Sequence, residues 1–470
     1  MLGAPRFYLT LFICKGGMFM DILQDSPAKL FTKYLFASFG SAIIISIYSL
    51  VDALCVGQYE GEIGTAALAC VLPLWTIILS CGLLFGIGGA TLMVERRGRN
   101  ENYEANQFYT LSILVATIGT LILWGLVNLF ENELLRFFGA SNPIIFSYAK
   151  KYTFWMKLSL PLFLFSQVLT CFLRNDGAPI RATLAVISGG VVNILLDICF
   201  VFGCKMGIGG AGLATMCGQF VNLTILLTHY FTKQRRIHFV KPQQSIRKIG
   251  LIIKTGLPSF VLDIAMGGLT ILFNNQIVRY NEGEYQTATL AVFGVICQVM
   301  ALVQSLSYAV GQASQPLLSQ NFGADQKERV QKFLNYGILT SVILSFLVVI
   351  LLESCPLAIL KLFIKVEEEA LIVSIASKIQ RAYYWSFLFL CFNVFSTYYF
   401  QSILKARLAF LLSMLRGIIL STIFLFSLPA LFGFDAIWWT MLITEMIVVL
   451  LNIMLILKVN FKHKKIMEKK

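Results

Sequence analysis

The sequence predicts an all-α integral membrane protein of about twelve transmembrane helices, arranged as two pseudo-symmetric six-helix bundles. Three observations carry this expectation. Of the 470 residues, 57% are hydrophobic and only 13% are charged, with a mean hydropathy of +0.77; a globular domain carries roughly 25% charge. Residues 111–130, 208–228 and 382–404 contain no charged side chain, and a helix needs about 20 such residues to cross a bilayer. The apolar runs are continuous rather than alternating, which selects helices over a β-barrel.

In chain order, the apolar segments fall at 33–56, 64–94, 107–130, 150–173, 180–203, 208–231, 249–279, 286–316, 330–352, 376–404, 408–432 and 435–457. Residues 1–24 are expected to be an N-terminal extension. Their apolar run at 7–14 is too short to span, and Met18 or Met20 is a plausible start of translation. Short loops make neighbouring helices antiparallel. The sixth connection carries Lys233, Arg235, Arg236, Lys241, Arg247 and Lys248, and the C-terminal tail carries Lys458, Lys462, Lys464 and Lys465. Arg96, Arg97 and Arg99 follow the second segment, and Lys327, Arg329 and Lys332 follow the eighth. Simple alternation puts all of these on one side, opposite the acidic turns Glu60/Glu62 and Glu282/Glu284. The positive-inside rule then places both termini in the cytoplasm.

Weak repeats recur at nearly one offset. Thr65-Ala-Ala-Leu-Ala69 resembles Thr287-Ala-Thr-Leu-Ala291, 222 residues later. Leu135-Arg-Phe-Phe138 resembles Leu360-Lys-Leu-Phe363, and Gly98 resembles Gly323, each 225 residues later. Two homologous halves of six helices follow, related by an axis along the membrane normal, with substrate bound between them. The expected organisation is an N-lobe at 25–232, a cytoplasmic linker at 233–248, a C-lobe at 249–458 and a basic cytoplasmic tail at 459–470. Short amphipathic stretches are expected near Leu134 and Ile359 at the outer surface.

The net charge of +14 does not point to nucleic acid, because the basic residues cluster between apolar runs. The 11 cysteines are scattered without a CxxC pair, as small core residues of a reducing compartment would be. The histidines His229, His238 and His463 lie at segment ends or in loops, so they make no metal cluster. No phosphate loop, HExxH or GxSxG motif is present. An enzyme is not expected.

An ionisable group inside a membrane helix costs about 2.5–3.5 kcal/mol on insertion scales, so each is a functional candidate. These are Asp52, Lys157, Asp197, Asp263, Glu353, Arg416 and Glu445. Asn193 and Asp197 are one helical turn apart and share a face. With Asp52 of the first helix and Thr215 of the sixth they form a candidate oxygen site for Na+ or a shared proton. The alternative is that Asn193 and Asp197 only pack helices and Asp52 faces water. At the repeat offset Asp52 maps onto Asn274, so the second half keeps polarity there and drops the charge. Cation coupling is therefore expected in the first lobe. In the eighth segment Gln298, Gln304, Gln312 and Gln315 either line a wet cavity or bond neighbouring helices.

These residues resemble the multidrug and toxic compound extrusion (MATE) family, in its DinF-like branch. The resemblance rests on Leu50-Val-Asp-Ala-Leu-Cys-Val-Gly57, Leu173-Arg-Asn-Asp-Gly-Ala-Pro179 and Val192-Asn-Ile-Leu-Leu-Asp197 with Gly207-Ile-Gly-Gly-Ala-Gly-Leu-Ala-Thr215. Gly256-Leu-Pro-Ser-Phe260 and Gly311-Gln-Ala-Ser-Gln-Pro316 extend it into the second half. It implies a V-shaped pair of bundles that exports organic cations using an inward H+ or Na+ gradient. It assigns cation coupling to Asp52, Asn193, Asp197 and Thr215. It sets Asp263 where relatives carry a Glu; with Asn274 from the internal repeat and Gln298, Gln304 and Gln312 from the uncharged eighth segment, Asp263 is a candidate for the substrate cavity. Relatives usually carry a proline ahead of the first-helix Asp. Here that region reads Phe36-Ala37, so a bend of the first helix has no proline to assist it, and Gly40 is the position left for one.

The expected function is a cation-coupled antiporter of amphipathic organic cations, working by alternating access. A lipid-linked sugar flippase of the same superfamily is the alternative, with Lys157, Arg174, Lys405 and Arg416 as contributors to a cationic cavity. A membrane-embedded enzyme is a third reading, for which no dyad or metal site is found. No cofactor is expected beyond the coupling ion. The expected partners are small organic cations and membrane lipid, with the chain acting as a monomer. The expected location is a bacterial plasma membrane.

Overall fold

A computed structural model describes residues 21–233, 235–363 and 370–467. The expected N-terminal extension, apart from residues 21–24, lies outside the described residues. The N-terminal half comprises α1 (Pro27–Gly98), α2 (Asn102–Leu129), the short α3 (Glu131–Phe137), α4 (Pro143–Asn175), α5 (Pro179–Asp197) and α6 (Ile208–Leu227). The C-terminal half comprises α7 (Ser245–Tyr280), α8 (Gly283–Gly323), α9 (Lys327–Ser354), the short α10 (Pro356–Phe363), α11 (Ala370–Tyr384), α12 (Phe387–Ser402), α13 (Ala406–Met414), α14 (Leu420–Phe432) and α15 (Thr440–Met467). Among the described residues, ten helical stretches are long and apolar enough to cross a membrane. The first of them, α1, crosses twice, because Gly61 breaks it at φ 65°, ψ −144°. Together α11 and α12 supply the remaining span, giving six crossings in each half.

Backbone punctuation repeats between the halves. Left-handed residues fall at Gly61 and Gly283, Asn100 and Asp325, Gly177 and Leu404, and Gly207 and Gly433, at offsets between 222 and 227 residues. Glycine at Gly61 and Gly283 takes positive φ without a Cβ penalty, so each half can turn tightly between its first two spans. The short helices α3 and α10 also correspond, and each buries one leucine completely, Leu135 and Leu360.

Gly61 is the one residue of α1 with non-helical angles, and Gly40 keeps helical angles. Gly40 instead serves packing, since a Cβ there would sit 3.3 Å from Thr183 Cγ2 of α5. The tenth segment is not one helix but two, separated at Trp385 and Ser386, where the backbone turns through Ser386 N–H donating to Tyr383 C=O at 3.0 Å. The turn lets Tyr383, Tyr384 and Phe387 pack together as a buried aromatic group.

Each half begins on the core of the other. Leu30, Phe31 and Tyr34 at the start of α1 join the core built from Val310, Leu317, Phe333 and Phe400. Ile252 and Leu262 of α7 join the N-terminal core with Leu92, Phe108 and Phe172. The halves meet backbone to backbone at the end that carries Arg96, Arg97 and Arg99. There a Cβ on Gly98 would lie 2.1 Å from the Gln320 carbonyl oxygen, and one on Gly323 would lie 2.0 Å from that of Glu95. Gly88 and Gly256 make the corresponding approach between α1 and α7, against Ile252 and Leu84 backbone. Small residues let membrane helices reach backbone contact.

Candidate functional site

In the N-terminal half, four spans converge on one buried polar cluster. Asp52 comes from the first span, Tyr152 from α4, Asn193 and Asp197 from α5, and Thr215 from α6. Tyr152 Oη donates to Asp52 Oδ2 at 3.4 Å and also lies beside Thr215. Asn193 Nδ2 donates to Thr215 Oγ1 at 3.3 Å. Asp52 and Asp197 lie within electrostatic reach of each other. Close packing of α5 on α6 sets this geometry: Cβ atoms on Gly189 and Gly218 would each lie 2.7 Å from the other's carbonyl oxygen. Directly after Asp197 the helix widens into a π turn, Ile198–Gly203, a feature frequent at functional sites.

The cluster is short of donors. Among the described residues, Asp52 Oδ1, Asn193 Oδ1 and both oxygens of the fully buried Asp197 have no hydrogen-bond partner. A buried acceptor without a donor is costly. A proton on one carboxylate or a hard cation among these oxygens would satisfy them, which is the chemistry of Na+ or H+ binding.

The C-terminal half holds its charges differently. Asn274 is half-buried and, among the described residues, makes no hydrogen bond to Asp263. Gln298 is exposed. Asp263 and Gln304 come together through Tyr308, whose hydroxyl donates to Asp263 Oδ1 at 2.5 Å and accepts from Gln304 Nε2 at 2.8 Å. Gln312 accepts from Arg174 across the halves. Asn175 Nδ2 donates to Gln315 Oε1 at 3.0 Å, and Gln315 Nε2 donates to Thr91 Oγ1 at 2.8 Å. Two of the eighth segment's glutamines therefore tie the halves together.

A profile of the MatE family matches residues 37–199 and again 263–427. The chain belongs to the MatE family. The double match falls on the two halves that the backbone repeats mark. Among curated relatives, this MatE chain is 23% identical over 420 residues to multidrug export protein MepA of Staphylococcus saprophyticus, covering 88% of this chain and 90% of that one. It is 24% identical over 405 residues to MepA of Staphylococcus aureus, covering 85% and 86%. Among solved structures, the MATE multidrug transporter DinF-BH in complex with R6G superposes with a TM-score of 0.84 at 24% identity, covering 93% of this chain and 98% of that one. The MATE fold expected from the sequence is the fold observed.

Within this MatE chain, sequence reasoning missed both tyrosines that hold the carboxylates. Tyr308 lies one turn after Gln304, a spacing that was available to find it. Tyr152 follows Lys150 and Lys151, where an aromatic reads as interfacial. The four cations of the flippase alternative do not converge. Lys157 pairs with Glu131 at 2.9 Å, Lys405 is exposed, Arg416 pairs with Glu445 at 2.6 Å, and Arg174 alone of the four bonds across the halves, to Gln312.

Proposed function

We propose that this MatE-family chain is a multidrug efflux antiporter, exporting amphipathic organic cations in exchange for H+ or Na+. The observation that carries the reading is the set of buried, unpartnered oxygens on Asp52, Asn193 and Asp197. A site that lacks donors is stabilised by an incoming cation, and its occupancy then biases the packing of the first, fifth and sixth spans. The names of the MepA relatives, multidrug export proteins, support the same class of cargo. In this reading the two halves rock about their shared seam. The arrangement closed at the arginine-rich end, taken as cytoplasmic, is the one that releases substrate outward. The coupling ion is held by Asp52, Asn193, Asp197 and Thr215, with Tyr152 orienting Asp52. The chain sits in a plasma membrane with both termini cytoplasmic, and it acts as a monomer without a cofactor.

The test is ethidium efflux from energised vesicles, wild type against Asp52→Asn at matched expression, under separate pH and Na+ gradients. Efflux by wild type and its loss in the variant support the reading, and the effective gradient names the ion. Equal efflux by both removes Asp52 from coupling. Absence of efflux from both transfers support to lipid-linked cargo.

A further inference from the structure

A line of buried and half-buried side chains runs from the seam between the halves into the interior of the C-terminal bundle. Asp263 stands at the seam, beside Ser80 of α1. Tyr308 donates to Asp263 Oδ1, Gln304 donates to Tyr308, and Arg416 Nη2 donates to Gln304 Oε1 at 3.3 Å. Behind Gln304, Arg416 Nε donates to Glu445 Oε1 at 2.6 Å, and Asn393 Nδ2 donates to Glu445 Oε2 at 2.6 Å. Arg416 and Glu445 are 2% and 0% exposed. Arg416 sits in a second π turn, Leu415–Ile419.

Each link dictates the direction of the next. A guanidinium only donates, so Gln304 must turn its carbonyl oxygen toward Arg416 and its amide nitrogen toward Tyr308. The Tyr308 oxygen then accepts from Gln304, and its own hydrogen is left for Asp263. With the Gln304 amide reversed, Tyr308 would face a carbonyl oxygen and could spend its hydrogen there. The polarity of the whole line is thus set at Arg416, and Glu445 keeps the guanidinium in place. At the other end, Asp263 Oδ2 is buried and has no hydrogen-bond partner among the described residues, the Ser80 hydroxyl beside it donating to Thr76 C=O at 2.8 Å.

We propose that Arg416, braced by Glu445, is a positioning residue for Asp263. It commits the Tyr308 hydrogen to Oδ1 and leaves Oδ2 as the oxygen that meets a cationic substrate at the seam. This inference rests on the organic-cation reading above. Neither Arg416 nor Glu445 touches substrate; both act through Gln304 and Tyr308.

The test is a double-mutant cycle on ethidium efflux kinetics. Arg416→Lys keeps the ion pair but lacks a second arm for Gln304. Gln304→Met cuts the line while leaving Arg416 and Glu445 paired, and it covers the case in which Arg416→Lys does not fold. Each is expected to raise KM for ethidium about tenfold with Vmax changed less than about twofold, as loss of one charge-assisted hydrogen bond predicts. In a Tyr308→Phe background, either substitution is expected to add nothing further, because the link it acts through is already cut. Additive effects in that background would overturn the inference alone, since they would mean a purely structural role. A wild type that neither binds nor exports ethidium would overturn the organic-cation reading and the inference with it.

Discussion

The Tyr152 hydroxyl donates to Asp52 Oδ2 across α4 and the first span, so the first-span carboxylate is held by a residue 100 positions away. Asp52 Oδ1 remains without a donor. Tyr152→Phe removes this one bond and little volume. Ethidium efflux under the effective gradient should fall about tenfold, while Asp52→Asn should abolish it. Efflux by Tyr152→Phe at the wild-type rate would show that the bond is idle.

Asp197 presents two unpartnered buried oxygens, an arrangement that costs stability and is retained where function needs it. Asp197→Asn should therefore yield folded protein whose thermal midpoint is no lower than wild type, yet without gradient-driven efflux. Thermal unfolding in detergent and vesicle transport on the same preparation check both halves of this prediction. Normal coupled transport by the variant would remove Asp197 from the site.

At the arginine-rich end, in the loop between α4 and α5, Asp176 accepts from Arg97 Nη1 at 2.5 Å and from His229 Nε2 at 2.7 Å. Burial alone would raise its carboxyl pKa, but the His229 hydrogen bond and the Arg97 guanidinium outweigh burial and hold it below the ordinary range. A depressed acid contributes stability above its unfolded pKa and loses it as pH falls through the folded value. Asp176→Asn should cost about 3 kcal/mol at neutral pH. Its deficit against wild type should shrink as pH drops below about 4. Thermal unfolding at pH 7 and at acidic pH measures the difference. A deficit independent of pH would mean the cost is packing rather than charge.

Gly323→Ala would set a methyl carbon 2.0 Å from the Glu95 carbonyl oxygen, whereas Gly267 has nothing within 4 Å of where its Cβ would go. The first substitution should keep the halves from closing at that end and reduce efflux at least about tenfold. The second should leave transport near wild type. Distances between spin labels across the seam, measured in both variants, distinguish a wedged seam from an unfolded protein.

The N-terminal polar cluster was legible because its residues sit in short motifs with helical spacing: Asn193 and Asp197 one turn apart, Thr215 after a glycine-rich turn, Asp52 alone in an apolar run. The family resemblance then joined them. The line from Asp263 to Glu445 was not legible as a unit. Arg416, Glu445 and Asp263 stood out singly as charges in apolar segments, but their bonds span 29, 45 and 112 residues. Helical periodicity reports which face a residue occupies, not which residue it meets. Gly40 was ambiguous for a related reason: a glycine in a helix marks a close neighbour as readily as a hinge, and here the neighbour is Thr183.

The glycine seam has a consequence for the energy of opening. The carbonyls that press on Gly98 and Gly323 are already spent within their own helices, on Ala324 N–H at 3.0 Å and Arg99 N–H at 3.3 Å. When the helices part there, no backbone group is orphaned and none must find a new partner. What is lost is dispersion between two ridges of main chain, which is small per atom pair and grows only with the length in contact. That stretch of the seam can unzip one turn at a time, with no single step that carries the whole cost.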